Sequence, residues 1–511
     1  MGAEGPDAVG TPAGAWTRQE AQRLEYPAAA GMEHLGQAHP NPGTDRLYCR
    51  CGLMPLLCQS VPSVPAGPPD APPSGGVLER SSWLTTVGAN SVIAKRPLRS
   101  PGRLRRARAW LGDLMASVVA ADTVVTGVRV LSPGAVTFEA GRIVAVSGVV
   151  PDGVQVRRGY LVPGFVDIHC HGGGGATVLG ADPEAVARFA RAHRAHGTTT
   201  ICASLVSQQP GPLLRDVRAL AELVEDGVIA GTHLEGPWIS PEMSGAHDPT
   251  ALRAPARDEV DAVLAAARGT LRMVTLAPEL VQGMATVRRL ADAGVLPAIG
   301  HTCADWNQAQ QAIDSGSVVA THLFNRMRPI DHRQPGPIPA LMGDPRMHVE
   351  LIADGVHVHP AIIAMVRQAV SGERIVLVTD AMAAAGEADG DYLLGDLAVT
   401  VSAGAARLAD GGALAGSTLT MDVAFRRAVR DCGFSLTDAV LAASVNPARL
   451  LGRTDVGSLG VGMAADVVAL DADLVLQQVW YRGEPLRPGS TQPSTCRPGQ
   501  GTHSRSDTPD R

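Results

Sequence analysis

Between residues 161 and 390, short apolar runs alternate with amphipathic stretches. Eight runs read as buried strands: 161–169, 198–204, 228–235, 271–278, 296–301, 317–322, 349–354 and 374–380. Between them, segments such as DPEAVARFARAHRAHG (182–197) and NQAQQAIDSG (307–316) carry helical spacing. Eight βα units in about 220 residues predict a (β/α)8 TIM barrel rather than a doubly wound sheet.

The flanks follow a different pattern. Residues 117–160 alternate as short strands separated by turn residues, and similar strands return at 397–404, 465–472 and 475–486. They predict a small β-sandwich domain built from both ends of the ordered chain, residues 115–160 and 391–486, the second part including C-terminal helices. Residues 1–114 are dense in Pro and Gly, lack periodicity and end in the basic run KRPLRSPGRLRRARAW. They read as a disordered or non-native extension, with ordered protein starting near Met115, and 487–511 reads as a disordered tail.

Composition narrows the chemistry. The 511 residues carry a net charge of −6, which predicts no nucleic-acid partner for the folded part, and no apolar run approaches the length of a membrane span. Eight cysteines lie scattered without a CxxC pair, as expected of a reducing cytoplasm. The only lysine is Lys95. If Lys95 lies outside the folded core, a Schiff base, a P-loop and a carbamylated lysine bridging two metals are all excluded.

Six of the eight predicted strands end in a metal ligand or proton carrier. Strand one ends at His169, with His171 two residues on; strand three at His233 and Glu235; strand five at His301; strand six at His322; strand seven at Asp354; strand eight at Asp380. Strand ends of a TIM barrel converge on one mouth. Polar groups there cost stability unless they bind something. Glu235, His301 and His322 make a three-ligand site, and His169 and His171, on one face of an extended strand, could hold a second ion with Glu235 bridging. Imidazole and carboxylate donors suit zinc or iron. The four glycines after His171 are expected to turn the chain sharply and leave room for metal and substrate. Asp380 is placed to move a proton, and His233 to orient Glu235. His193 and His196 read as helix C-terminal residues favoured by the helix dipole.

The strings PGFVDIHCHGGGG (163–175), HLEGPWISPEMSGAH (233–247), GHT (300–302), THLFNRM (321–327), ADGVHVHP (353–360), VTDAMAAAG (378–386) and LAGSTLTMD (414–422) resemble the N-acetylglucosamine-6-phosphate deacetylases of the amidohydrolase superfamily. The resemblance covers roughly 117–486. It implies that Glu235, His301 and His322 hold the main metal, that His169 and His171 hold a second ion in some members, and that Asp380 is the catalytic acid/base. It further implies substrate contacts from Ala246, His247, Asn325, Arg326, His357, Leu414, Ala415 and Gly416. Arg333 matches an arginine that the family lends to the phosphate across a homodimer interface. Two departures stand out: FNRM replaces FNAM, and RQPG replaces REPG.

The combined reading is hydrolysis of the N-acetyl group of N-acetylglucosamine 6-phosphate by a cytoplasmic enzyme with one or two divalent ions. The alternatives are the galactosamine epimer, a cyclic amidase, or a non-catalytic scaffold of the same fold.

Overall fold

The computed structural model describes residues 116–410 and 412–486. The expectations for 1–114 and for the tail from 487 lie outside these residues. Eight parallel strands pair in chain order: Phe165–Asp167, Thr198–Leu205, Gly231–Glu235, Leu271–Leu276, Leu296–Ile299, Val319–Ala320, His348–Leu351 and Ile375–Leu377. Each falls inside a predicted run except that the second extends to Leu205 and the seventh starts at His348.

The strands of this sheet are buried on both faces, as parallel strands covered by helices must be; all eight residues of Thr198–Leu205 are buried. Some of the covering helices are capped by side chains of the preceding residue. Asp182 accepts from the Ala185 N–H ahead of Pro183–Ala195, and Asp305 with Gln308 forms a capping box ahead of Trp306–Asp314. Their apolar faces pack on the strands, and Phe165 meets Phe425 with ring centroids 5.3 Å apart.

Strands one and eight share no ladder, yet their ends are tied. The Asp380 N–H donates to the His169 carbonyl at 2.9 Å, and the Thr379 hydroxyl donates to the buried Asp167 carboxylate at 2.5 Å. The run after His171 completes the seam. His171 and Gly172 N–H both donate to the Ala381 carbonyl, Gly174 to Ala385 and Gly175 to Ala383. A Cβ on Gly172 would lie 2.8 Å from the Ala383 nitrogen. The glycines therefore let the strand-eight loop dock on the strand-one loop, rather than clearing space for metal and substrate.

A second sheet joins the two ends of the described chain. Its order runs Glu484–Leu486, Leu476–Tyr481, Val467–Leu470, Val156–Pro163, Ser117–Val125, Gly134–Glu139 and Arg142–Ser147, with Val130–Leu131 beside Ser117–Val125. Val162 pairs with Val468, so early and late sequence meet in one ladder. The strand at Leu397–Ser402 does not belong here, contrary to its sequence grouping. It is the centre of a separate three-stranded meander, Gly390–Leu394, Leu397–Ser402 and Ala405–Leu408. Turn-length connections on both sides make pairing with its own neighbours the local solution.

The run 161–169, one strand by its pattern, is divided between two sheets at Gly164. Residues before it pair in the terminal sheet, and residues after it enter the barrel. The Gly164 N–H donates to the Asp466 carbonyl at 2.9 Å, and a Cβ there would lie 2.2 Å from Thr199 Oγ1. Gly164→Ala is expected to cost about 1–3 kcal/mol by overpacking. In a Thr199→Gly background the same change should cost clearly less. Urea unfolding of the four proteins measures this; equal costs in both backgrounds would show that the contact does not limit the site.

Candidate metal centre and active-site cavity

Glu235, the last residue of the third barrel strand, is buried and lies between two sets of imidazoles. Its Oε1 is 2.9 Å from both His301 Nε2 and His322 Nε2, and its Oε2 is 3.1 Å from His171 Nε2 and 3.7 Å from His169 Nε2. Asp380 Oδ1 lies 3.3 Å from His171 Nε2 and 3.5 Å from His169 Nε2. The structure thus brings six of the eight residues read at the strand ends into two overlapping groups, Glu235–His301–His322 and His169–His171–Glu235–Asp380, leaving out His233 and Asp354.

His301, His322 and Asp380 all have positive φ, at 48°, 27° and 48°. Each left-handed residue costs about 1–2 kcal/mol when it carries a side chain. The strand ends keep this strain because the turn aims the side chain into the mouth, a task glycine cannot perform.

Hydrogen bonds on the far side of the rings fix what the near side offers. The Nδ1 of His301 is 2.7 Å from the Met243 carbonyl and that of His171 is 3.1 Å from the Ser204 carbonyl. A carbonyl only accepts, so both Nδ1 atoms carry the proton. The Nδ1 of His169 likewise faces Glu350 Oε2 at 3.1 Å. With Nδ1 protonated, a neutral ring points its Nε2 lone pair at the carboxylates and at another Nε2: 3.1 Å separates His169 from His171 and His301 from His322. Lone pairs converging on carboxylate oxygens need a cation between them. Without a metal, protons supply it. Burial would lower His171, but Asp380 and Glu235 lift it to about 9; burial would raise Asp380, but His169 and His171 hold it at about 2. His301 goes the other way, to about 4, because burial outweighs Glu235. A buried donor set oriented by carbonyl and carboxylate bonds behind the rings fits a divalent metal.

Glu350 was missed by the strand-end reading. It sits inside strand seven, fully buried, and its Oε2 also accepts the His322 N–H at 3.1 Å. One carboxylate thereby positions one histidine of each group. A lone glutamate within the apolar run VELIAD was the available signal, since a charge there needs a partner. His233 lies beneath the site. It contacts the Ser204 and Thr275 hydroxyls at 2.9 Å each and stacks edge-on against His169.

A cavity of about 490 Å³ opens onto these groups. Ala246, His247, Asn325, Arg326, His357, Leu414 and Gly416 line it, together with Arg407, which sequence reasoning did not single out. Ala415 does not line it; its side chain is fully buried against Met382 and Leu394. Arg333 is also elsewhere, in an outer hollow with Asp305, Trp306 and Arg328. Asp354 is not a ligand. Its carboxylate bonds His357 Nδ1 at 2.6 Å and accepts two backbone N–H groups, so it fixes the loop and aims His357. Burial would lower His357, but Asp354 raises it above the usual histidine range. His247 is held by the Ser207 hydroxyl at 2.8 Å and lies 3.4 Å from Glu235.

His193 departs from its sequence reading. It is buried, bonds the Gly172 carbonyl at 2.8 Å and contacts Cys170 Sγ at 3.3 Å; burial drives it to about 4, so it is neutral and the helix dipole is not what holds it.

Residues 160–489 match the amidohydrolase family model. The chain is 37% identical over 348 residues to an N-acetylgalactosamine-6-phosphate deacetylase of Escherichia coli O157:H7, covering 67% of this chain and 92% of that protein. It is 36% identical over 383 residues to the human N-acetylglucosamine-6-phosphate deacetylase, covering 71% and 90%. A solved structure of the Mycobacterium smegmatis N-acetyl-D-glucosamine-6-phosphate deacetylase, a variant in complex with N-acetyl-D-glucosamine-6-phosphate, superposes with a TM-score of 0.71 at 48% identity, covering 72% of this chain and 99% of that one. With its strand-end ligands, its cavity and two thirds of its length accounted for, the chain belongs to the amidohydrolase family, in the N-acetylglucosamine-6-phosphate deacetylase branch.

Proposed function

We propose that this metal-dependent hydrolase removes the acetyl group of N-acetylglucosamine 6-phosphate, giving glucosamine 6-phosphate and acetate. The observation that carries this reading is the Asp380 carboxylate beside the Glu235 imidazole cluster, in a cavity that also presents His357, His247 and arginine. The 48% identity to an enzyme solved with that sugar phosphate supports it.

Glu235, His301 and His322 would hold one divalent cation, zinc or iron by donor type, and His169 and His171 a second, with Glu235 shared. Such an ion, when bound, acidifies water and polarises an acyl carbonyl. The chain's own residues do the rest. Asp380, kept ionised, accepts the proton of the attacking water and passes it to the departing amine nitrogen. His357 gives its Nδ1–H to Asp354, which also favours the protonated ring, and in that doubly protonated form it donates from Nε2 to the acyl oxygen as negative charge develops there. His247 and the Leu414 to Gly416 backbone bind sugar hydroxyls. Asn325, Arg326 and Arg333 bind the phosphate end.

We further propose that Arg333 acts in a homodimer. It is exposed, has no ion pair among the described residues and lines an outer hollow instead of its own cavity. A cytoplasmic setting fits the four free cysteines among the described residues. No helix among the described residues is long and apolar enough to cross a membrane. The galactosamine epimer is a second reading, favoured by the 37% identity to a deacetylase of that name.

Asp380→Asn should retain metal by elemental analysis but lose at least about 1000-fold in kcat on N-acetylglucosamine 6-phosphate; near-normal turnover would remove Asp380 from the reaction. Chelation should abolish activity, and zinc or iron should restore it, with His301→Ala failing to recover; an enzyme unaffected by thorough metal removal would contradict the metal assignment. Mixing Arg333→Ala with Asp380→Asn subunits should regenerate sites that combine full turnover with low KM, which neither variant has alone. Failure of subunit-exchanged mixtures to do so would place Arg333 outside the neighbouring site. Parallel assays with both 6-phosphate epimers decide the sugar.

A further inference from the structure

The three-stranded meander supplies one side chain to the cavity. Arg407 lies on the strand Ala405–Leu408, paired with Thr400 in the next strand. On its other side the chain returns antiparallel: Leu408 N–H donates to the Ala413 carbonyl, Ala415 N–H to the Ala406 carbonyl, and Arg407 opposes Leu414. Pairing on both sides fixes the backbone, while the buried Ala406 anchors the strand on Met382 and Ala384. Alternation then turns Arg407 away from that apolar contact and into the wall of the cavity.

Among the described residues, Arg407 makes no ion pair and no side-chain hydrogen bond, and the same holds for Arg326 across the same cavity. The two carboxylates that line it, Glu235 and Asp380, are already engaged with imidazoles. The charge of Arg407 reaches His357, where it opposes the rise that Asp354 produces. Two uncompensated guanidinium groups from separate elements thus face one cavity. A guanidinium fork matches a phosphate in geometry as well as charge, and offers little to a neutral sugar.

We propose that Arg407, together with Arg326, forms an anion subsite within a single chain, and that Arg407 is a specificity-determining residue for the phosphate of the substrate. The proposal rests on the deacetylase reading for the identity of that phosphate, but the subsite can be tested apart from it. It makes the meander a functional element, whose role is to carry a cation to the barrel mouth.

The experiment compares wild type, Arg407→Ala and Arg407→Lys on N-acetylglucosamine 6-phosphate and on unphosphorylated N-acetylglucosamine. The ratio of kcat/KM between the two substrates should fall at least tenfold in Arg407→Ala, chiefly through KM, and recover in part in Arg407→Lys. A ratio within twofold of wild type, or an equal loss on both substrates, would overturn the proposal. If wild type deacetylates neither sugar, the deacetylase reading fails, and the subsite is then read by calorimetry with glucose 6-phosphate against glucose. Preferential binding of the phosphate by wild type, weakened at least tenfold in Arg407→Ala, supports the subsite. No preference in wild type, or equal binding by the variant, overturns it.

Discussion

A single buried carboxylate organises this molecule. Each oxygen of Glu235 faces a different set of imidazoles, and three of these rings, His169, His171 and His301, are held from behind through Nδ1. The near side is therefore a concentration of lone pairs on buried groups. Such an arrangement is stable only with positive charge at its centre, whether metal or protons. The barrel resolves this constraint by distributing Glu235, Asp380 and the four imidazoles over five strand ends.

The seam between the first and last barrel strands matters for the same reason. His169 and Asp380 lie on opposite sides of it, and the Asp380 N–H to His169 carbonyl bond sets their spacing. His171 and the glycine run after it dock the strand-eight loop through four N–H donors, and a side chain at Gly172 would prevent that approach. Closing the barrel and placing the Asp380 carboxylate beside the imidazole cluster are one structural event. Glu350 extends the coupling to strand seven, because it touches His169 and the His322 backbone together.

Around this centre the cavity is assembled from pieces remote in sequence. His357 depends on Asp354 for its direction and its charge, His247 on Ser207, and Leu414 and Gly416 on a hairpin that folds back from the meander. The clustered imidazoles and carboxylates sit on rigid strand ends, whereas the other residues lining the cavity are mostly on loops braced by one or two polar bonds. Such a division suits one chemistry applied to different sugars.

The barrel strands, most of their limits, and Glu235, His301, His322, His169, His171 and Asp380 were legible in the sequence. Period and strand-end polarity are local properties that survive without knowledge of neighbours. Other features were not legible. Glu350 hides within a strand, and only packing shows which histidines its carboxylate reaches. Residues 161–169 follow one continuous strand pattern, yet Gly164 divides them because Thr199 occupies the space where a side chain would sit. The strand at Leu397–Ser402 carries the same alternation whether it joins the terminal sheet or its own meander, and only pairing decides. Arg407 looks like any surface arginine in a strand until the return of the hairpin turns it onto the cavity. The sequence by itself determined which groups could do the chemistry; the tertiary structure decided which of them face each other, because proximity across the barrel is set by closure and docking rather than by spacing along the chain.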